Sequence, residues 1–138
     1  MNTNLTTKAV WGTSSRHDAL KRVLIVEDNP EAAEMLATAC RLEGYEAHLA
    51  GDGREALQHL TAGVEPDVIL LDLHMPIMDG WQFRRVQKQH LEWADIPVVI
   101  ISTVPDPTCT REMTPLAEFG KPIDFEALFE VLRSIPTH

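Results

Sequence analysis

Four separate apolar runs in this chain each end in side chains able to do chemistry. Glu27 and Asp28 follow Val23-Leu24-Ile25-Val26, Asp72 follows Val68-Ile69-Leu70-Leu71, Ser102 and Thr103 follow Pro97-Val98-Val99-Ile100-Ile101, and Lys121 follows the brief run from Leu116 to Gly120. A carboxylate is seldom placed at the end of a buried strand for packing, so it has a partner or faces a site. If the four ends converge, three carboxylates share one crevice. Two of them about 4 Å apart repel by roughly 4 kcal/mol at an intermediate dielectric, so the crevice calls for a cation or for proton uptake. A hard divalent ion with oxygen ligands meets that need, and Mg²⁺ fits best because it accepts a few carboxylates and keeps several waters; Mn²⁺ is the substitute. Asp28 and Glu27 would hold it directly or through water. Lys121 and the Ser102 hydroxyl are suited to the oxygens of a phosphoryl group. A carboxylate can attack phosphorus to give an aspartyl phosphate, and Asp72, on the presumed central strand, is the candidate nucleophile.

Such convergence requires a particular scaffold. The runs Val23 to Val26 and Val68 to Leu71 are apolar on both faces, as strands covered on both sides in a parallel sheet are. Between them lie helical patterns. Asn29-Pro30 opens one that carries Met35, Leu36, Ala39 and Leu42 as its apolar stripe and stops at Gly44. Glu46 to Ala50 reads as a second strand, and Asp52 caps a helix with Ala56, Leu57 and Leu60. After Asp72, Met75-Pro76 and Asp79-Gly80 make a loop before a helix from Trp81 to about His90. Pro105, Pro107 and Pro115 leave at most a turn or two around Thr110 to Met113, so the fourth helix is expected to be short or irregular. Asp124 caps a last helix with Phe125, Leu128, Phe129 and Leu132 on one face, and Ile123 staples to Leu128. Five strands alternating with helices predict an α/β doubly wound parallel sheet, whose functional crevice lies beyond the carboxyl ends of the strands.

Composition sets the outer bounds. The chain has 138 residues, enough for one domain with a real core, and a formal net charge of -9 with 12 basic residues scattered among 21 acids. That balance argues against a nucleic-acid surface. Cys40 and Cys109 show no metal or disulfide spacing, and no stretch suggests a membrane span or a signal peptide, so a reducing cytoplasm is the expected compartment. Residues 1–20 are polar and without sustained period, and read as an extension in which Trp11 stands alone; the domain runs from 21 to 135, with 136–138 a tail. The six histidines have no paired metal spacing, and His48, His59 and His90 read as surface.

The segments Val23 to Asn29, Leu70-Leu71-Asp72-Leu73-His74-Met75-Pro76-Ile77-Met78-Asp79-Gly80, Ile101-Ser102 and Lys121-Pro122 resemble the response-regulator receiver domain of two-component signalling. The resemblance implies a flavodoxin-like strand order of 2-1-3-4-5 and makes Asp72 the phosphoacceptor for a histidine kinase or phosphotransfer protein. Glu27, Asp28, Asp72 and the backbone carbonyl of His74 would surround Mg²⁺. Ser102 would take the switch role, Lys121 would contact the phosphoryl group, and a cis Lys121-Pro122 bond would fit. The output would be a changed affinity for a downstream protein, with a homodimer left open and no nucleic acid or membrane involved. Catalysis would be limited to the domain's own phosphoryl transfer and autodephosphorylation.

The chain departs from that pattern in places. Glu118 stands where the family usually has an aromatic residue, and Phe119, one place later, belongs to the other face of its strand. Thr103 and His74 lie where they could alter water access and phosphoryl lifetime. Two other readings compete: a docking module indifferent to phosphorylation, suggested by Glu118 and the prolines, and a Mg²⁺-dependent phosphohydrolase, weakened by His74 in place of a second acid. A dinucleotide motif, Gly51-Asp52-Gly53-Arg54-Glu55-Ala56, follows the second strand rather than the first and is set aside.

Overall fold

The structure, a computed structural model, describes residues 21–103 and 110–136. Residues 1–20, including Trp11, the prolines at 105 and 107, Cys109 and the last two residues lie outside them. Five strands, β1 (Arg22–Val26), β2 (Glu46–Ala50), β3 (Val68–Asp72), β4 (Val98–Ser102) and β5 (Ala117–Gly120), form one parallel sheet in the order β2-β1-β3-β4-β5. Among the described residues the helices are α1 (Pro30–Leu42), α2 (Gly53–Thr61), α3 (Gly80–Lys88) and α4 (Phe125–Arg133). This is the doubly wound sheet that the alternation of strands and helices predicts, in the flavodoxin-like order that the resemblance implies.

Every residue of β3 and β4 is buried. The reason is that each face of the sheet is covered. On one face Val23, Ile25, Leu70, Val99 and Ile101 pack with Leu36 and Cys40 of α1 and Leu128 and Leu132 of α4. On the other, Leu24, Ile69, Leu71 and Ile100 pack with Ala56 and Leu60 of α2 and Phe83 of α3. The helices start where short polar side chains satisfy free backbone N–H groups: Asn29, Asp52, Asp79 and Asp124 accept from the amides of Ala32, Glu55, Gln82 and Ala127 at 2.9–3.1 Å. Asp79 and Gln82 complete a reciprocal capping box, Gln82 accepting from the Asp79 amide at 3.0 Å.

Some expectations need correcting. The buried stripe of α1 is Ala33, Leu36, Ala37 and Cys40, spaced i, i+3, i+4, i+7, whereas Met35 and Leu42 are 62% and 83% exposed. Choosing the larger apolar residues placed the stripe off the buried face. The helix after the loop begins at Gly80 rather than Trp81 and ends at Lys88. His48 and His59 are half-buried and meet edge to face, with His59 Nε2 2.9 Å from the Leu49 carbonyl, so they are not plain surface residues. The described residues after β4 hold a 3-10 turn at Arg111–Met113, while the expectation of a short fourth helix falls mostly on residues 104–109, outside the described ones. The turn is fastened by Arg84, a buried residue of α3, whose Nε donates to the Met113 carbonyl at 2.9 Å.

Gly80 holds the loop tight under β3. Its amide donates to the Leu73 carbonyl at 3.0 Å, and a Cβ there would lie 2.6 Å from the Asp72 carbonyl oxygen and 2.9 Å from the Leu73 Cα, both backbone atoms with little room to move. Gly80→Ala is therefore expected to destabilise the fold by about 1–3 kcal/mol in chemical denaturation. Gly51→Ala, whose Cβ would meet only the Glu55 side chain at 3.8 Å, is expected to be close to neutral.

Candidate functional site

The parallel strands end together, so β1, β3, β4 and β5 deliver Glu27, Asp72, Ser102 and Lys121 to one edge of the sheet. Ligand oxygens of Glu27, Asp28 and Asp72 all lie within 4.8 Å of one another. Glu27 and Asp72 are 4% and 6% exposed, while Asp28 faces solvent. Lys121 reaches in from beyond β5: its Nζ donates to Glu27 Oε1 at 2.6 Å and stands 3.8 Å from Asp72 Oδ2. The Lys121-Pro122 peptide bond that follows is cis. Glu27 Oε2 also accepts from the Asn29 amide at 3.1 Å, so of the three acids Glu27 has the fewest lone pairs to spare. Asp72 Oδ1 faces the His74 amide at a long 3.4 Å.

The remaining predicted residues divide into two groups. Ser102 is fully buried at the end of β4, one residue beyond Ile101, the register partner of Asp72, and Thr103 is exposed and lines a cavity with Glu27 and Lys121. His74 is exposed, its ring edge-on to Trp81 at 5.4 Å between centroids. Glu118 and Phe119 lie farther down β5 and outside the acidic cluster. Glu118 Oε1 accepts from the Thr110 hydroxyl at 2.7 Å, and Thr110 is buried. Phe119 packs into the core under α1 and α4, on the opposite face of β5, as its parity predicts.

Burial, and then the adjacent Glu27 carboxylate, push the Asp72 carboxyl up to about 6, against the lowering pull of Lys121 and the His74 amide. For Lys121 burial works to lower the ammonium, but the hydrogen bond to Glu27 and the charges of Asp72, Glu27 and Asp28 outweigh it, and the net displacement is upward. One cation therefore serves three carboxylates, and negative charge is left over. The donor set is all oxygen, crowded, and short of positive charge, which is the chemistry that suits a hard divalent cation. Glu27, Asp28 and Asp72 are the residues that could hold it.

The chain belongs to the response regulator receiver domain family, whose model matches residues 23–133. Among curated relatives, the regulatory protein AtoC of Escherichia coli is 36% identical over 113 residues, a stretch covering 80% of this chain and 24% of that protein. The sensor histidine kinase TmoS of Ectopseudomonas mendocina is 38% identical over 85 residues, 62% of this chain and 8% of that protein. The chain thus spans only a fraction of the curated relatives it matches. A solved structure of the chemotaxis response regulator CheY4 of Vibrio cholerae superposes with a TM-score of 0.75 at 28% identity, covering 84% of this chain and 98% of that one. The receiver domain of two-component response regulators thus accounts for residues 23–133, and no helix among the described residues is long and apolar enough to cross a membrane.

Two features beside the site escaped sequence reading. Met35 was counted as core, yet with Leu36, Ile123 and Phe125 it lines a cavity of about 530 Å³ that opens onto Glu27 and Lys121. Its position two residues from both Ala33 and Ala37, and so on the far side of the helix from them, was the available signal. Thr110, isolated among prolines, gave none.

With a native value near 6 and an unfolded value of 3.8, Asp72 binds its proton more tightly when folded, so its ionisation costs stability. That cost is complete above pH 6 and disappears as pH falls toward 3.8. In metal-free protein, Asp72→Asn is expected to raise stability by about 1–3 kcal/mol at pH 7.5, with the gain shrinking below pH 6, as read by urea titration at several pH values.

Proposed function

We propose that residues 21–135 act as a phosphoacceptor module in which Asp72 takes a phosphoryl group from a histidine kinase or a phosphotransfer protein. The observation that carries this reading is the buried Asp72 carboxylate held 3.8 Å from Lys121 inside a cluster with two further acids. An Asp72 carboxylate oxygen attacks phosphorus in line, a P–O bond forms as the P–N bond of the phosphohistidine breaks, and the imidazole departs and recovers its proton from solvent. Lys121 turns from Glu27 toward the incoming phosphoryl oxygens, and the Ser102 hydroxyl, one strand away, donates to another. Asp28, Asp72 and the His74 carbonyl would hold Mg²⁺ directly, with Glu27 engaged through water; Mn²⁺ could take its place. The ion would neutralise charge on the transferring group. Thr103 and His74, exposed at the rim, govern the access of hydrolytic water and so the lifetime of the phosphoryl group. The output is a change in affinity for a downstream protein in the cytoplasm, with self-association of the phosphorylated form one route to it.

A donor must bring its histidine to Asp72, and the apolar cavity walled by Met35, Ile123 and Phe125 lies next to that path. It is the natural seat for the donor's own apolar surface. Incubation with acetyl phosphate and Mg²⁺ should add one phosphoryl mass to the protein and none to Asp72→Asn; an unchanged mass, or a gain that survives that substitution, ends the reading. Met35→Glu should leave labelling by acetyl phosphate unaltered and slow transfer from a phosphorylated partner protein about tenfold, through lost docking.

One observation favours a second reading. The hydrogen bond from Thr110 to Glu118 fastens the segment after β4 to β5 where the family usually has a mobile aromatic side chain. A docking module with fixed partner affinity would be built this way. Equal affinity for a captured partner before and after phosphorylation would select it.

A further inference from the structure

The sheet has a second concave surface at its opposite end. Between the turn that precedes β3 and the connection that precedes β4 lies a groove of about 540 Å³. Its floor is apolar, made by Leu60 and Ile96, and Trp93 forms a half-buried wall. Leu91, 97% exposed, stands at its mouth. The rim carries three exposed carboxylates, Glu65, Glu92 and Asp95, and among the described residues none of them is in an ion pair. β3 separates this groove from Asp72 by about 17 Å of extended chain, so its acids are not part of the phosphoryl site.

The groove is held open by buried bonds rather than by loop residues alone. Gln87, fully buried on α3, donates through Nε2 to the carbonyls of Trp93 at 2.8 Å and Ile96 at 3.1 Å, and its Oε1 accepts from Arg84 Nη1 at 2.7 Å. The His90 ring stacks on Trp93 with centroids 4.2 Å apart. A preformed apolar concavity loses little entropy when filled.

We propose that this groove docks a short cationic segment of a partner protein, with an apolar side chain seated on Leu60 and Ile96 between basic residues that pair with Glu65, Glu92 and Asp95. Charge complementarity acts at two scales. The three rim acids meet the bound cations, and the net charge of -9 draws a basic segment in from solution. The same charge repels nucleic acid and anionic membrane surfaces. Occupancy is independent of the phosphoryl chemistry at Asp72.

The test is a titration of ¹⁵N-labelled protein with the peptide KRLWLRK, alongside KRGSGRK, which keeps the charge without the anchor, and EELWLEE. KRLWLRK is expected to shift the amides of Val64, Trp93 and Ile96, and to bind at least about fivefold more weakly when ionic strength rises from about 0.01 M to 0.15 M. The variant E65K/E92K/D95K, altered only at exposed positions, should lose the interaction by about tenfold or more while its remaining spectrum is unchanged. If that variant does not fold, Glu92→Gln alone should still weaken binding. Shifts confined to Glu27, Asp28 and Asp72, equal binding of KRGSGRK, or tighter binding of EELWLEE would each overturn the proposal. So would concentration-dependent shifts of the same three amides without peptide, which would show a second copy of the chain in the groove.

Discussion

Like-charge crowding at the carboxyl edge of the sheet is the constraint on which the rest depends. Three carboxylates whose oxygens lie within 4.8 Å share one lysine, and two of the three are removed from water. In isolation that arrangement is unfavourable: burial first, and then the Glu27 charge, push the Asp72 carboxyl up to about 6. The fold tolerates it because the cost is localised at one edge while the apolar faces of β1, β3 and β4 supply the stability. A surplus of negative charge at a buried site is a standing affinity for whatever brings positive charge or removes a lone pair from competition. The same feature that strains the resting state therefore defines its chemistry.

The scaffold turns this into a directional site. Parallel pairing makes the strand ends coincide, the cap residue Asn29 starts α1 directly beyond the acids that follow β1, and the cap Asp79 with Gly80 ties down the longer loop that carries His74 after β3. Gly80, pressed against the Asp72 carbonyl, fixes the loop after β3 at its far end. On the other side of the sheet Arg84 and Gln87 tie α3 to the 3-10 turn and to the connection before β4. These buried polar bonds fix α3 against the segments that lead into β4 and β5.

Much of this was legible in the sequence because its signals are strong and local. Runs apolar on both faces announce covered parallel strands, and a carboxylate or lysine closing such a run stands out against them. Each helix N-terminus had its Asn or Asp. What the sequence did not disclose depends on tertiary neighbours. The stripe of α1 was misplaced because small residues, Ala33, Ala37 and Cys40, face the close-packed sheet, and the bulkier Met35 and Leu42 are left outside. Glu118 was visible as a departure, but its partner Thr110 is eight residues away across an irregular segment, where no periodicity connects them. The groove beneath β3 and β4 draws its lining from two connections distant in sequence, so no single window reveals it.

The ionisation of Asp72 is the most direct measure of the crowding argument. The side-chain carboxyl ¹³C resonance of Asp72, followed through pH with and without Mg²⁺, should titrate near 6 in the metal-free protein and fall by more than about one pH unit when the ion is present. A titration near 4 that Mg²⁺ leaves unmoved would contradict it.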